Sequence, residues 1–168
     1  MPIDDVAAVG FEAGASAYEL ARPGYPDEAV AALVGALGIG AGTRVLDLAA
    51  GTGKFTRRLV ELEASVVAVE PVPGMRRELA RVLPGIEVID GAAESIPLPD
   101  AAVDVVAVAQ AFHWFDAPAA LAEIARVLRP GGGLAILWNE RDETRPWVAE
   151  MSRIIRWHER TVSRYQPV

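Results

Sequence analysis

Val45-Leu46-Asp47-Leu48-Ala49-Ala50-Gly51-Thr52-Gly53-Lys54 is the stretch on which the fold turns. A short apolar run, Val45 to Leu48, leads into a Gly-x-Gly turn and then a helical pattern from Lys54 to Leu62. A strand feeding a glycine turn and then a helix opens a parallel α/β unit, because the crossover helix returns the chain to start the next strand alongside. Runs of the same kind recur at Val66 to Val69, Ile86 to Ile89, Val103 to Val108 and Leu134 to Leu137. They are almost continuously apolar rather than alternating, as strands covered on both faces should be. Met75 to Leu83 and Ala117 to Leu128 read as helices between them, the second closed by Pro130-Gly131-Gly132-Gly133. Upstream, Pro26-Asp27-Glu28 starts an amphipathic helix that stops near Gly38. Downstream, Val148, Met151, Ile154, Ile155, His158 and Val162 share one helical face. The expected fold class is α/β: an open, mostly parallel sheet with helices on both faces. Residues 1–43 read as an N-terminal cap segment and first helix, and 44–168 as the α/β core of a single domain.

Composition narrows the function classes. Hydrophobic residues make up 52% of the 168, enough for a sizeable core. There is no cysteine, which excludes disulfides and thiolate-bound zinc, and no His, Asp and Glu cluster has metal-ligand spacing. No signal peptide and no apolar window of about 20 residues is evident, so the expectation is a soluble cytoplasmic domain with no membrane partner. The formal net charge is -7, and Lys54 is the only lysine. Such a balance offers no long-range attraction to a phosphate backbone, so no nucleic acid partner is expected. The pairs Arg57-Arg58 and Arg76-Arg77 read as solvated helix faces.

In an open α/β sheet the ligand lies beyond the carboxyl ends of the strands, where the strand order reverses. Gly51 and Gly53 let the backbone turn tightly and approach a ligand where a Cβ would clash. Glu70 closes the second strand, where an acid can accept both hydroxyls of a ribose. Ordinary turn chemistry also explains each feature alone; together they favour an adenosine-containing ligand. A dinucleotide would want glycine or alanine at position 56, which is Thr56, and Asp47 would repel its pyrophosphate. S-adenosylmethionine carries no phosphate and has an ammonium and a sulfonium, so an acid at this loop suits it.

Val45 to Gly53 resembles the glycine motif of class I, type 11 methyltransferases, and three further segments are similar to family segments in the same places. Gly91-Ala92-Ala93-Glu94-Ser95-Ile96-Pro97-Leu98 is similar to the loop that covers the adenine. Gln110-Ala111-Phe112-His113-Trp114-Phe115 follows the fourth strand, and Leu128-Arg129-Pro130-Gly131-Gly132 precedes the fifth. Arg22-Pro23-Gly24-Tyr25-Pro26 and Gln110 to Asp116 resemble the small-molecule branch that includes trans-aconitate methyltransferase-like proteins. The resemblance runs from about Phe11 to Trp157. It implies a Rossmann-like sheet and an S-adenosylmethionine site made by Tyr18, Arg22, Asp47, Ala49, Gly51, Thr52, Gly53, Glu70, Pro71, Met75, Ala92, Ala93, Glu94 and Gln110. There are departures: Ala49 stands where the family commonly has glycine, and Ala92 where it often has a polar residue.

The implied reaction is methyl transfer to a small-molecule oxygen, a carboxylate or a hydroxyl. The alternatives are an adenosylmethionine-binding module without turnover and a nicotinamide-dependent oxidoreductase, against which Asp47 and Thr56 argue. His113 is the candidate base near the fourth strand, with a packed or surface histidine as its ordinary explanation. Phe112, Trp114 and Phe115 are expected to pack under the following helix, the alternative being that one ring covers the sulfonium. Arg22 could pair with the methionine carboxylate or with an acidic substrate. Family members continue into a further helix and an antiparallel strand pair, so the chain reads as truncated. Its fifth strand, Leu134 to Trp138, would then be an open edge that could pair with a second copy as a homodimer.

Overall fold

The computed structural model describes residues 5–156. Two helices, α1 (Asp5–Ala21) and α2 (Asp27–Leu37), precede β1 (Arg44–Leu48), α3 (Lys54–Glu61), β2 (Ser65–Val69), α4 (Pro73–Val82) and β3 (Glu87–Ile89). Then come β4 (Val103–Ala109), a 3-10 turn at Phe112–Trp114, α5 (Ala117–Val127), β5 (Leu128–Leu137) and α6 (Pro146–Ile154). The five strands are all parallel, in the order β3-β2-β1-β4-β5. The chain runs outward from β1 through β2 to β3, then crosses back to place β4 on the other side of β1. The switch point therefore lies between β1 and β4.

The period of two along each strand divides the core between the sheet's faces. Leu46 and Leu48 join Val67, Val69, Val106 and Val108 on one face, packed by Ile124 and Val127 of α5 and by Ile96 and Leu98. On the other, Val45 joins Val105, Ala107 and Ala135 beneath Val30 of α2 and Phe55 and Leu59 of α3. Tyr25 meets Phe55 edge to face at 5.1 Å. Of the helices read from sequence, α2 follows its signals most closely, with Pro26 at the N-cap and a left-handed Gly38 at the C-cap.

Three elements differ from the reading of the sequence. Helix α1 carries no strong apolar stripe and contains Gly10 and Gly14, poor helix formers, so it is a helix stabilised by its neighbours. Ala15 packs on Val72 and Met75, and Glu12 accepts a bond from the Gly74 amide. In β5 the expected turn at Pro130–Gly133 is a bulge within the strand. Val103 pairs with Leu128 and Val105 with Gly133, so the intervening residues loop out of the ladder. Proline is tolerated there because, among the described strands, β5 is an edge. In α6 the expected apolar face is buried only at one end: Val148 is buried together with Ser152, whereas Met151 and Ile154 of that face are exposed. His158 and Val162 lie outside the described residues.

Residues up to Leu137 form one compact unit, and Trp138 opens a second that contains α6. No described helix is long and apolar enough to cross a membrane.

Candidate functional site

A cleft opens beyond the carboxyl ends of β1, β2 and β4, at the switch point. Counting the open space at its mouth, it spans about 810 Å³. Its walls include Tyr18 of α1, Ala49 and Gly51 after β1, Glu70, Pro71, Val72 and Met75 after β2, Ala92, Ala93 and Glu94 after β3, and Gln110, Trp114 and Phe115 after β4. Of the candidate cofactor residues, Arg22, Asp47, Thr52 and Gly53 are not on this wall. His113 is exposed and also off it, its ring 4.9 Å from that of Trp114. Trp114 and Phe115, expected to pack beneath α5 with one ring as an alternative cover for the sulfonium, line the cleft and also pack against the core.

Glu70 organises the floor. Its Oε2 accepts the Gly51 amide at 2.9 Å and its Oε1 the Val72 amide at 2.8 Å, so one carboxylate ties the loops after β1 and β2 together. Each oxygen keeps a lone pair for a further donor. Burial pushes the Glu70 carboxyl up, against the two amides and the Arg76 charge, which favour ionisation. Arg76 donates to the carbonyls of Glu70 and Pro71 and to Asp90 at 2.7–2.8 Å. It is thus part of the floor's frame rather than a solvated cation. The other basic residues of the two pairs are likewise engaged: Arg57 with Glu19, Arg58 with Asp27 and Glu61, Arg77 with Glu12.

The two glycines of the turn have different duties. Gly51 lies on the cleft wall at φ +58, and a Cβ added there would meet nothing. That open space is where a ligand can press against backbone. Gly53 is left-handed too, at φ +86, but a Cβ would stand 2.9 Å from Leu79 of α4. Its smallness serves helix packing. Ala49 adopts φ +57, a region that costs an L side chain roughly 1–2 kcal/mol.

Asp47 shares its sheet face with Val45 and points toward α3, which is why it lies off the cleft wall. It is fully buried; Oδ2 accepts the Thr56 hydroxyl at 2.6 Å, while Oδ1 has no partner. Burial pushes its carboxyl up to about 7, with the Glu70 charge adding to the effect and Thr56 opposing it. Thr56, which counts against a dinucleotide in the sequence, is here the partner that holds Asp47.

Helix α1 is fastened to the turn by Glu19. Its carboxylate accepts the Thr52 hydroxyl at 2.6 Å and Arg57 at 3.0 Å, and Lys54 donates to its carbonyl at 2.5 Å. Thr52 thereby faces α1. Arg22 lies over the Tyr18 ring, 5.3 Å from its centroid. The sequence reading missed Glu19, Arg76 and Val72. Their roles depend on contacts between segments that no local spacing encodes.

Among the described residues no His, Cys, Asp and Glu group could hold a metal ion. The residues present fit an adenosine-type cation. The Glu70 lone pairs suit two hydroxyls, Val72, Met75, Ala92 and Ala93 make an apolar slot for a base, and the unpartnered Asp47 oxygen adds negative potential below.

The chain matches a model of the methyltransferase domain, Methyltransf_11, over residues 46–136. It is 51% identical over 148 residues to an uncharacterized methyltransferase of Mycobacterium tuberculosis, covering 88% of this chain and 59% of that protein. It therefore spans rather more than half the length of that relative. A malonyl-acyl-carrier-protein O-methyltransferase of Serratia marcescens is 40% identical over 133 residues, 74% of this chain and 51% of that protein. The crystal structure of an S-adenosylmethionine-dependent methyltransferase from Aquifex aeolicus superposes with a TM-score of 0.60 at 26% identity, covering 76% of this chain and 77% of that one. Strand order, cleft position and these likenesses agree: the chain belongs to the type 11 methyltransferase domain family.

Proposed function

We propose that the protein is an S-adenosylmethionine-dependent methyltransferase acting on an oxygen of a small molecule, above all a carboxylate. The observation that carries this reading is Glu70, buried beside the open backbone of Gly51 with lone pairs free for two hydroxyls. In this reading Ala92, Ala93 and Glu94 bound the base, Pro71 and Met75 close over it, and Ala49, Gly51 and the Gln110 backbone line the path toward β4. Asp47 supplies charge from below. Thr52 and Gly53 hold the turn in shape from behind, and Tyr18 with Arg22 guards the mouth. The name of the Serratia relative supports oxygen as the accepting atom, and the trans-aconitate-like segments support an acidic acceptor.

When bound, the cofactor supplies an electrophilic methyl group on a positively charged sulfur. With Glu70 and the Gly51 backbone holding its ribose, the cofactor would give that methyl to the acceptor oxygen, its sulfur keeping the electron pair of the broken bond. The protein's work is alignment at roughly 3 Å approach in a site closed to water. A carboxylate is already deprotonated and needs no base. The exposed position of His113 accords with that. A binding module without turnover is the second reading, favoured by the strained Ala49 in the turn.

Calorimetry with adenosylhomocysteine and with NAD, then a labelled-methyl screen of small acids, phenols and thiols, tests both. Micromolar adenosylhomocysteine, no NAD binding and label on an acid are expected. Binding without any transfer would favour the second reading, and no binding of adenosylhomocysteine would overturn both.

A further inference from the structure

The connection from β3 to β4, residues 90–102, carries neither helix nor strand, yet its first part lines the slot for the base. An ion pair on α5 holds it. Arg126 donates to Glu123 in a fork, from Nε and from Nη2, both at 2.7 Å. The same two side chains take both main-chain polar groups of Ile96. Glu123 Oε2 accepts its amide at 2.8 Å, and Arg126 Nη2 donates to its carbonyl at 2.9 Å. Arg126 Nη1 reaches on to the Leu98 carbonyl at 2.8 Å and to Asp100 at 2.9 Å. Just before α5, the Asp116 amide donates to Glu94 at 2.8 Å. The Arg126 guanidinium, helped by the Ile96 amide, holds the Glu123 carboxyl down to about 2 against the penalty of burial. The fork is therefore charged throughout the neutral range.

Neither Glu123 nor Arg126 lines the cleft, whereas Ala92, Ala93 and Glu94 do. The Ser95 amide returns to the Ala92 carbonyl at 3.1 Å, so the lining stretch is a tight turn. It is tied down through Glu94 and, immediately beyond it, through Ile96. Ala92 brings only a methyl group to the slot, with neither donor nor acceptor. The edge of a base is then read by the main chain of the turn or by Glu94. Such groups discriminate only when held in place, because a hydrogen bond weakens steeply as its angle closes. Adenine offers an amino donor beside a ring-nitrogen acceptor. Hypoxanthine presents an oxygen acceptor and an N–H donor at the same two places. A fixed turn can accept one and refuse the other, since the wrong base leaves polar groups unpaired.

We propose that Glu123 and Arg126 are positioning residues for base recognition. Acting through Ile96, they hold the turn at residues 92–95 in the arrangement that admits adenine and turns away hypoxanthine. This rests on the methyltransferase reading and adds to it the pair that sets the purine selectivity of the site.

The test titrates the full chain by calorimetry with two probes, adenosylhomocysteine and its hypoxanthine counterpart, inosylhomocysteine. The unaltered chain should bind the adenine form at least about thirtyfold more tightly, the value of one or two hydrogen bonds. Arg126→Met should lower that ratio at least about tenfold, chiefly by weakening the adenine form. Arg126→Lys keeps the charge but has no fork, and should lower the ratio at least about threefold. It alone decides if the methionine variant does not fold. Arg129→Met removes a different ion pair, that with Asp104, and should leave the ratio within about twofold even where it lowers the melting temperature. A merely structural role would instead make selectivity follow melting temperature across the three variants. If adenosylhomocysteine does not bind the unaltered chain, the methyltransferase reading fails and the proposal falls with it. If it binds without preference for adenine, the proposal alone is overturned. The same holds if both Arg126 variants keep the ratio, or if Arg129→Met loses it equally.

Discussion

At Asp47 the burial that fixes the side chain also sets its affinity for a proton. Its carboxyl sits near 7, against an ordinary 3.8, chiefly because no water reaches it. The folded chain therefore holds a proton that the unfolded chain has released over that interval, and stability without ligand falls as pH rises from about 4 to about 7. The total is on the order of 4 kcal/mol. Urea denaturation from pH 4 to 8 should show this decline, and Asp47→Asn should flatten it; equal slopes would relieve Asp47 of the role. A cationic ligand favours the ionised form, so adenosylmethionine binding at pH 7 should release about half a proton. Calorimetry in buffers of different ionisation enthalpy reads that directly. Glu70 should respond differently. Glu70→Ala removes bonds to an anionic acceptor, a loss of about 1.5–3 kcal/mol in adenosylhomocysteine affinity. Because it also orphans the Gly51 and Val72 amides, the melting temperature should drop as well. Unchanged affinity would take Glu70 out of the site.

Among the elements, the turn between β1 and α3 yields the sharpest contrast. Gly51→Ala adds a Cβ to open space and costs only the left-handed strain, about 1–2 kcal/mol, yet should impair ligand binding. Gly53→Ala adds the same strain and a collision with Leu79, so a loss of about 2–4 kcal/mol is expected. Denaturant midpoints and adenosylhomocysteine titrations on the two variants should separate the two duties. In the sequence these glycines looked alike, since spacing reports that a turn exists but not which side of it faces a neighbour. The strands β1, β2 and β4 were legible because continuous apolar runs bounded by turns have few other uses. Helix α1 was not, because its order comes from Glu12, Ala15 and Glu19 meeting residues more than thirty positions away. Of the residues named from sequence, Ala49, Gly51, Ala92 and Ala93 lie on the cleft wall, where backbone and small apolar side chains follow directly from the loops after the strands. Asp47 and His113 were harder, because facing depends on strand register and on the 3-10 turn at Phe112–Trp114.

Across the whole molecule, β5 is the edge of the described sheet, and its outer backbone groups have no strand beside them. A second copy could supply one. Light scattering should then find a concentration-dependent dimer, with slow hydrogen exchange along Leu134 to Leu137; a monomer with fast exchange there would exclude pairing through this edge. On the opposite side of the problem stands Glu19. Burial disfavours its ionisation, but the bonds from Thr52 and Arg57 and the charge of Lys54 outweigh that and hold the carboxyl below its ordinary value. The single clasp joins α1, whose Tyr18 forms part of the cleft wall, to the same turn that supplies Gly51. In the proposed reading, the dwell time of bound adenosylhomocysteine should depend on that clasp, alongside the Glu12 and Ala15 contacts that also hold α1. Stopped-flow displacement of adenosylhomocysteine should show escape quickening as salt is raised, and quickening again in Glu19→Gln with little further response to salt. Residence time, rather than affinity alone, becomes the quantity in which the N-terminal helix leaves its signature.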